Sequence, residues 1–468
     1  MAHGIELQRH CLEPGFHSPR HMTSHVIPAA ARARLDQLRP VNLAFNARHP
    51  GEAPGRQPVH TVYGGGHLFR ADTAARLGAV ARASLAEYAP DAAALSAAVG
   101  LTGQGDAIHA RVREKLDREP VEDFRIDFED GYGNRPDDEE DGHVAAAARE
   151  VAAGLKAGTL PPFIGIRVKP LNEESRDRSI RTLHLFLTTL IDAAGELPPN
   201  FVVTLPKITV PEQVACFTDI LAGFEHEFGM AAGALRFEVM IETPQVIVGA
   251  DGRSALPLLL EAAGGRLSAA HFGTYDFTAG LNITAAYQQM RHPACDFAKH
   301  MMALAYAGTG LWLSDGSTAV LPVPLHRPPH TGSLSAALSA ENRASVHRAW
   351  KLHYDDVRHS LAGGFYQGWD LHPAQLVSRY AAVFGFFMEG LDAAGARLQN
   401  FTTKAFQATL VGDVFDDAAT GQGLLNYFLR AINSGAVTEA EAASRSGLTV
   451  DEIRGRSFVK ILTGRGAS

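Results

Sequence analysis

Residues 236–243 read RFEVMIET and residues 268–277 read SAAHFGTYDF. Each opens on apolar, β-branched or aromatic residues and closes near a carboxylate, Glu242 in the first and Asp276 in the second. Such a run fits a strand buried along its length whose last residues reach a polar rim. The same design recurs on either side. HTVY (60–63), DFRIDFED (123–130), FIGIRVK (163–169) and FVVTLPK (201–207) precede the pair, and LWLSDGS (311–317) and GFYQGWDLHP (364–373) follow it. Longer Ala- and Leu-rich stretches separate these runs, so β and α alternate as in a parallel sheet. The runs are enough to close a (β/α)₈ barrel, and DFED, RVK, IET and TYDF end in ionisable residues. The expected fold is therefore an α/β barrel with apolar residues filling its interior and an active site at the C-terminal rim of the strands.

The bulk properties agree with one large enzyme-sized domain carrying additions. The chain has 468 residues, 46% hydrophobic and 20% charged, a globular composition. Residues 1–21 show no periodicity and are expected to be disordered. Residues 22–394 hold the (β/α)₈ TIM barrel with an N-terminal extension, and 395–468 form a helical C-terminal appendage. Capping signals begin at Thr438 and Thr449, each with a glutamate three residues on. The segment 328–363 reads as helical, and YGGG (63–66) as a tight turn, because it lacks the spacing of a phosphate-binding loop. A net charge of −8 without a basic cluster excludes a nucleic-acid surface. No run reaches the roughly 18 apolar residues of a membrane span. Cys11, Cys216 and Cys295 lie too far apart to form a zinc motif or a disulfide framework, which fits a cytoplasmic protein.

Glu242 and Asp276 close consecutive strands, which brings two rim carboxylates together. Two oxygen ligands, completed by water and substrate, suit Mg²⁺; the alternative is that each pairs with an arginine. Arg167 ends its strand, where a guanidinium grips a carboxylate through two parallel bonds. It equally fits an ion pair with Asp127, Glu129 and Asp130, and both arrangements are compatible. Lys169 and Lys207 also end strands, with weaker claims, and His372 reads as a packed strand-end histidine. GxSxG and HExxH are absent, which argues against serine-hydrolase and zinc-protease chemistry.

These residues carry a family resemblance. RIDFEDGYGNRPDDEEDGHVAAAARE (125–150) resembles a stretch of citrate lyase β-subunits, and FVVTLPKI (201–208) is similar to a strand shared by those proteins and malate synthases. VMIETPQVI (239–247) resembles their metal-binding strand. HFGTYDF (271–277), GFYQGWDLHPAQLV (364–377) and FDDAAT (415–420) are similar to malate synthase motifs, in the same order. The resemblance implies that Glu242 and Asp276 ligate Mg²⁺, with Mn²⁺ as the substitute, and that Arg167 contacts the carboxylate and carbonyl of a 2-oxo-acid. It makes Asp417 the catalytic base, sets Glu129 and Asp130 to line or brace the site, and brings the backbone of Gly273 and Thr274 to the substrate carboxylate. Tyr275 stands where malate synthases have Trp, Thr274 replaces Arg, and RVKP replaces an RPRG-type stretch. The acceptor and the use of acetyl-CoA therefore stay open.

The implied activity is Mg²⁺-dependent carbon–carbon bond formation or cleavage on a small 2-oxo-acid such as glyoxylate, pyruvate or oxaloacetate, with an acyl-CoA as candidate co-substrate. Two rivals remain: a class II aldolase acting on hydroxy-oxo-acids without coenzyme A, and a metabolite-binding regulatory barrel without catalysis. Oligomeric state is open, with a homo-oligomer among the expectations. A malate synthase-like chain would fold its appendage over the barrel mouth and bring Asp417 to the metal.

Overall fold

The structure, a computed structural model, describes residues 29–53, 55–329, 332–403, 409–411, 414–416 and 418–466. The disorder expected for residues 1–21 concerns residues outside that set. The described part of the first fifty residues is a helix, Ala29–Arg48, with Pro40 inside it. Everything from residue 51 onward forms a second compact unit.

That second unit is built on a closed eight-stranded parallel barrel in which neighbours follow chain order and β1 pairs with β8. The strands are β1 (His60–Gly65), β2 (Asp123–Asp127), β3 (Phe163–Arg167), β4 (Phe201–Leu205), β5 (Arg236–Ile241), β6 (Leu267–Phe272), β7 (Trp312–Ser317) and β8 (Gln367–Asp370). Each falls within or close to a run identified above, because a strand covered on both faces reads as an almost unbroken apolar stretch. Two expectations change. The YGGG turn is instead the end of β1 running into a short 3₁₀ turn, Gly66–Leu68. The sixth strand stops at Phe272, and Asp276 lies in a separate helical turn, Thr274–Gly280.

The barrel interior also differs from the expected apolar filling. Outward-facing residues such as Ile126, Ile166, Val203 and Val239 belong to the main hydrophobic core, beneath the helices. Alternation along each strand sends their neighbours inward, and several of those neighbours, Arg125, Thr204 and Glu238 among them, are polar. Arg125 on β2 bonds Glu238 on β5 through Nε (2.7 Å) and Nη2 (2.9 Å). These strands are not adjacent, so the pair spans the lumen. Arg125 also meets Asp123, and His271 Nε2 lies 2.9 Å from Glu238. Trp369 Nε1 donates to His271 Nδ1 at 3.2 Å. Burial would raise the Glu238 carboxyl, but Arg125 and His271 outweigh it and hold the group below the usual carboxylate range.

The appendage contains the predicted capping boxes at Thr438 and Thr449. It also contains a two-stranded antiparallel hairpin, Thr409–Val411 with Val414–Asp416, that the helical reading did not include. Helix Ala418–Asn433 approaches the barrel at the N-terminal ends of its strands. The Tyr427 hydroxyl donates to the Phe387 carbonyl, and the Arg430 guanidinium lies 4.5 Å from the Tyr366 ring and bonds Gln57 and Glu52. These contacts lie at the opposite end from the mouth that the appendage was expected to cover.

Candidate active site

At the C-terminal ends of the strands lies a cavity of about 420 Å³, bordered by Arg167, Glu242, Gly273, Thr274 and Asp276 together with Tyr63, Asp127, Asp130 and Trp369. The structure thus gathers most of the predicted residues around one space. Glu242 follows β5 directly and is 2% exposed, while the Asp276 side chain is 42% exposed. Burial, and then the charge of Asp276, push the Glu242 carboxyl up to about 8. Gly273 lets the two segments approach, since a Cβ there would lie 2.4 Å from Glu242 Oε2 and 2.5 Å from Glu242 Cβ.

Arg167 shows the internal ion pair that was one of its two readings. Its Nε and Nη2 clasp Asp127 at 2.8 and 2.5 Å, and Nη1 reaches Glu129 at 3.1 Å. Asp127 in turn accepts the backbone N–H groups of Glu129 (3.0 Å) and Gly131 (2.7 Å). The guanidinium lies 4.8 Å from the Tyr63 ring and 5.8 Å from that of Trp369. The bidentate fork is therefore committed to Asp127. What Arg167 offers a substrate is fixed positive charge and its remaining N–H capacity, not a second two-pronged clamp.

Lys207 has a larger part than its sequence position suggested. Its ammonium meets Glu129, lies 2.7 Å from Asp130 and 3.5 Å from Asp276. Its backbone N–H donates to Glu242 Oε1 at 2.7 Å, and its φ of +48° is left-handed, a strained conformation of the kind found at functional sites. Burial would lower the ammonium, but Glu242 and Glu129 raise it above its ordinary value. Glu129 and Asp130 thus brace Lys207. Lys169 instead binds Glu140 and the Phe128 carbonyl.

Of the predicted backbone contacts, the Gly273 N–H is bonded to the Ile241 carbonyl at 3.0 Å. Thr274 is 2% exposed, and its Oγ1 has no hydrogen-bond partner among the described residues. The Tyr63 hydroxyl is also buried and unpartnered. Tyr63, Asp127 and Trp369 were missed as site residues; inward alternation on β1, β2 and β8 is the signal that marks them. His372 is half-buried and accepts the Ala374 N–H at 3.2 Å. Asp417 lies outside the described residues.

The donor set fits Mg²⁺. Among the described residues no three His, Cys, Asp or Glu side chains gather as a metal-holding group. The mouth supplies two carboxylates, and the carboxylates of Asp127, Glu129, Asp130, Glu242 and Asp276 outnumber the cations Arg167 and Lys207. Few protein oxygens, excess negative charge and space for water suit a hard divalent cation. Structural zinc requires a closed set of nitrogen and sulfur ligands.

A closed parallel barrel with paired carboxylates at its C-terminal mouth defines a class of TIM-barrel protein. Within it, the chain belongs to the family described as a domain of unknown function (DUF6986), which matches residues 38–461. No curated protein matches the chain in sequence. A citrate lyase from Burkholderia xenovorans LB400 overlays with a TM-score of 0.52 at 19% identity, covering 84% of this chain and 98% of that one. The likeness is one of fold. Haloferax volcanii malate synthase overlays with a TM-score of 0.45 at 15% identity, covering 85% of this chain and 96% of that one. Mycobacterium tuberculosis CitE, a complex with magnesium, acetoacetate and coenzyme A, gives 0.44 at 14%, covering 80% and 97%.

Proposed function

We propose that the chain is a Mg²⁺-dependent carbon–carbon lyase or condensing enzyme acting on a small 2-oxo-acid, with an acyl-CoA as co-substrate. The observation that carries this reading is Glu242, a buried carboxylate beside Asp276 with no side-chain ion pair among the described residues. Ionising a carboxyl in that place is costly, and a divalent cation shared with Asp276 would offset the cost. Glu242 and Asp276 would hold Mg²⁺, or Mn²⁺, which suits the same oxygen ligands. The bound metal would supply Lewis acidity to the carbonyl of the oxo-acid.

The remaining roles fall to the chain's own groups. Arg167, oriented by Asp127 and Glu129, sets positive charge where a carbonyl oxygen becomes negative. The unspent Thr274 hydroxyl, beside the Gly273 backbone, bonds the acid's carboxylate. Glu129 and Asp130 hold Lys207 against the site. Asp417 keeps its role as the proposed base that takes a proton from the carbon acid, or assists the reverse cleavage, although the helix that follows it contacts the barrel at the end away from the mouth.

The test is thermal denaturation with Mg²⁺ and glyoxylate, pyruvate or oxaloacetate, followed by thiol release from acetyl-CoA. Stabilisation by one acid that requires Mg²⁺ supports the reading. Thiol release separates a condensing enzyme from an aldolase that cleaves hydroxy-oxo-acids without coenzyme A. The proposal fails if no acid stabilises the protein with Mg²⁺ and neither reaction is seen.

A further inference from the structure

The opposite end of the barrel holds a second cavity, about 430 Å³ in volume, within the range of small-molecule sites. It is bordered by first residues of successive strands, among them Asp123, Phe163, Phe201, Arg236, Leu267 and Trp312. This end of a (β/α)₈ barrel ordinarily serves stability, and a well-packed barrel leaves few voids there. The walls here are apolar, with Phe163 and Trp312 edge to face at 5.9 Å. The floor is the interior ionic layer already described.

The charges of that floor are spent on one another. Asp123 bonds Arg125 and accepts from Thr61 at 2.8 Å, while Glu238 takes Arg125, His271 and Thr204. Burial pushes the Asp123 carboxyl upward, toward its neutral form, and this outweighs Arg125. Arg236 is different. It is exposed, and its one described side-chain bond runs from Nη2 to the Leu267 carbonyl at 3.2 Å. Among the described residues it has no carboxylate partner. An apolar-walled cavity thus ends in a guanidinium free to take an anion.

We propose that this N-terminal cavity binds a small organic monoacid, its aromatic or branched aliphatic body against Phe163 and Trp312 and its carboxylate on Arg236. The site is separate from the mouth but touches it through one chain of contacts: Glu238 to His271, His271 to Trp369, and Trp369 against Tyr63 at 4.4 Å. Glu238, His271 and Trp369 therefore stand between the cavity and Arg167.

The test is titration calorimetry of the full chain without Mg²⁺, using benzoate and 3-methylbutanoate as probes and acetate and benzylamine as comparators. Benzoate should bind at one site, with acetate at least about tenfold weaker for want of the apolar body, and benzylamine should give no heat. Arg236→Gln, at an exposed position, should weaken benzoate by about tenfold or more. Glu242→Gln, at the other end, should leave benzoate binding unchanged. Benzoate should also change the tryptophan fluorescence of the parent protein, and Trp312→Phe should keep the heat while lessening that change. Absence of benzoate binding, full binding by Arg236→Gln, loss in Glu242→Gln, or equal binding of benzylamine would each overturn the assignment.

Discussion

Gly273→Ala isolates the packing that brings the two rim carboxylates together. The backbone itself accepts alanine, since φ at this position is −101°. The obstacle is Glu242, whose Oε2 and Cβ would lie 2.4 and 2.5 Å from the new methyl. A rotamer change moves the carboxylate aside but cannot move Cβ, which the backbone fixes. The segments after β5 and β6 must therefore separate by roughly 1 Å to restore ordinary carbon contact distances. Overpacking of this kind costs about 3 kcal/mol, the upper end of its usual range. For a unit of this size that corresponds to about 3 °C in melting temperature. The same displacement spreads the ligand pair, so Mg²⁺-dependent stabilisation should fall with it. Differential scanning calorimetry with and without Mg²⁺ reads both effects. Adding Glu242→Gly, which removes the blocking Cβ, should recover the metal-free melting temperature but not the Mg²⁺ response. An alanine variant as stable and as Mg²⁺-responsive as the parent would refute the reasoning, and so would a double variant that recovers nothing.

Other substitutions probe the remaining groups. Glu242→Gln should abolish the Mg²⁺-dependent rise in melting temperature while leaving the metal-free protein at least as stable, because the amide keeps the neutral form toward which burial and Asp276 already push the carboxyl. Arg167→Lys keeps the charge but loses the two-pronged grip on Asp127, and should cost about 1–3 kcal/mol by chemical denaturation along with weaker 2-oxo-acid binding. Asp417→Asn should leave Mg²⁺ and oxo-acid binding nearly intact while lowering kcat by about 10²–10⁴-fold; an unchanged kcat would remove it from the mechanism. Buried His60, whose pKa burial lowers to about 4 despite Asp370, resists protonation in the folded state. The unfolded chain takes up that proton first, so stability should fall as pH drops from about 6.5 toward 4, and His60→Gln should lessen the loss in acid titrations followed by circular dichroism.

The barrel was legible in the sequence because each strand is covered on both faces, leaving apolar runs that end in rim chemistry. Asp276 was assigned to a strand because HFGTYDF is rich in aromatic and β-branched residues. Nothing local reveals that Gly273 ends the ladder by admitting Glu242. The YGGG segment was taken for a turn for a related reason. Gly64 belongs to β1 because a Cβ there would lie 2.7 Å from the Phe124 ring, a contact made across the sheet with residues far away in the chain. Lys207 stood out only as a strand-end residue with a weaker claim, and the interior ions escaped notice: Arg125, Glu238, His271 and Trp369 sit on four different strands, and each alone resembles an ordinary residue in an apolar run. Glu242 and Arg167 stood out because chemistry at the end of a strand is a local pattern.

The grip of Arg430 on the barrel has a consequence for how the chain is made. Gln57 lies just before β1 and Tyr366 just before β8, and Arg430 touches both. These are the strands whose pairing closes the cylinder, and more than three hundred residues separate the partners. Contacts of such long range form slowly. During synthesis β1 must wait for β8, and the seam must wait further still for the helix that clasps it. Until then the seam strands lack their partner and expose unpaired edges, the part of an incomplete barrel most prone to aggregation. The seam is therefore fully clasped only after the helix that carries Arg430 has left the ribosome.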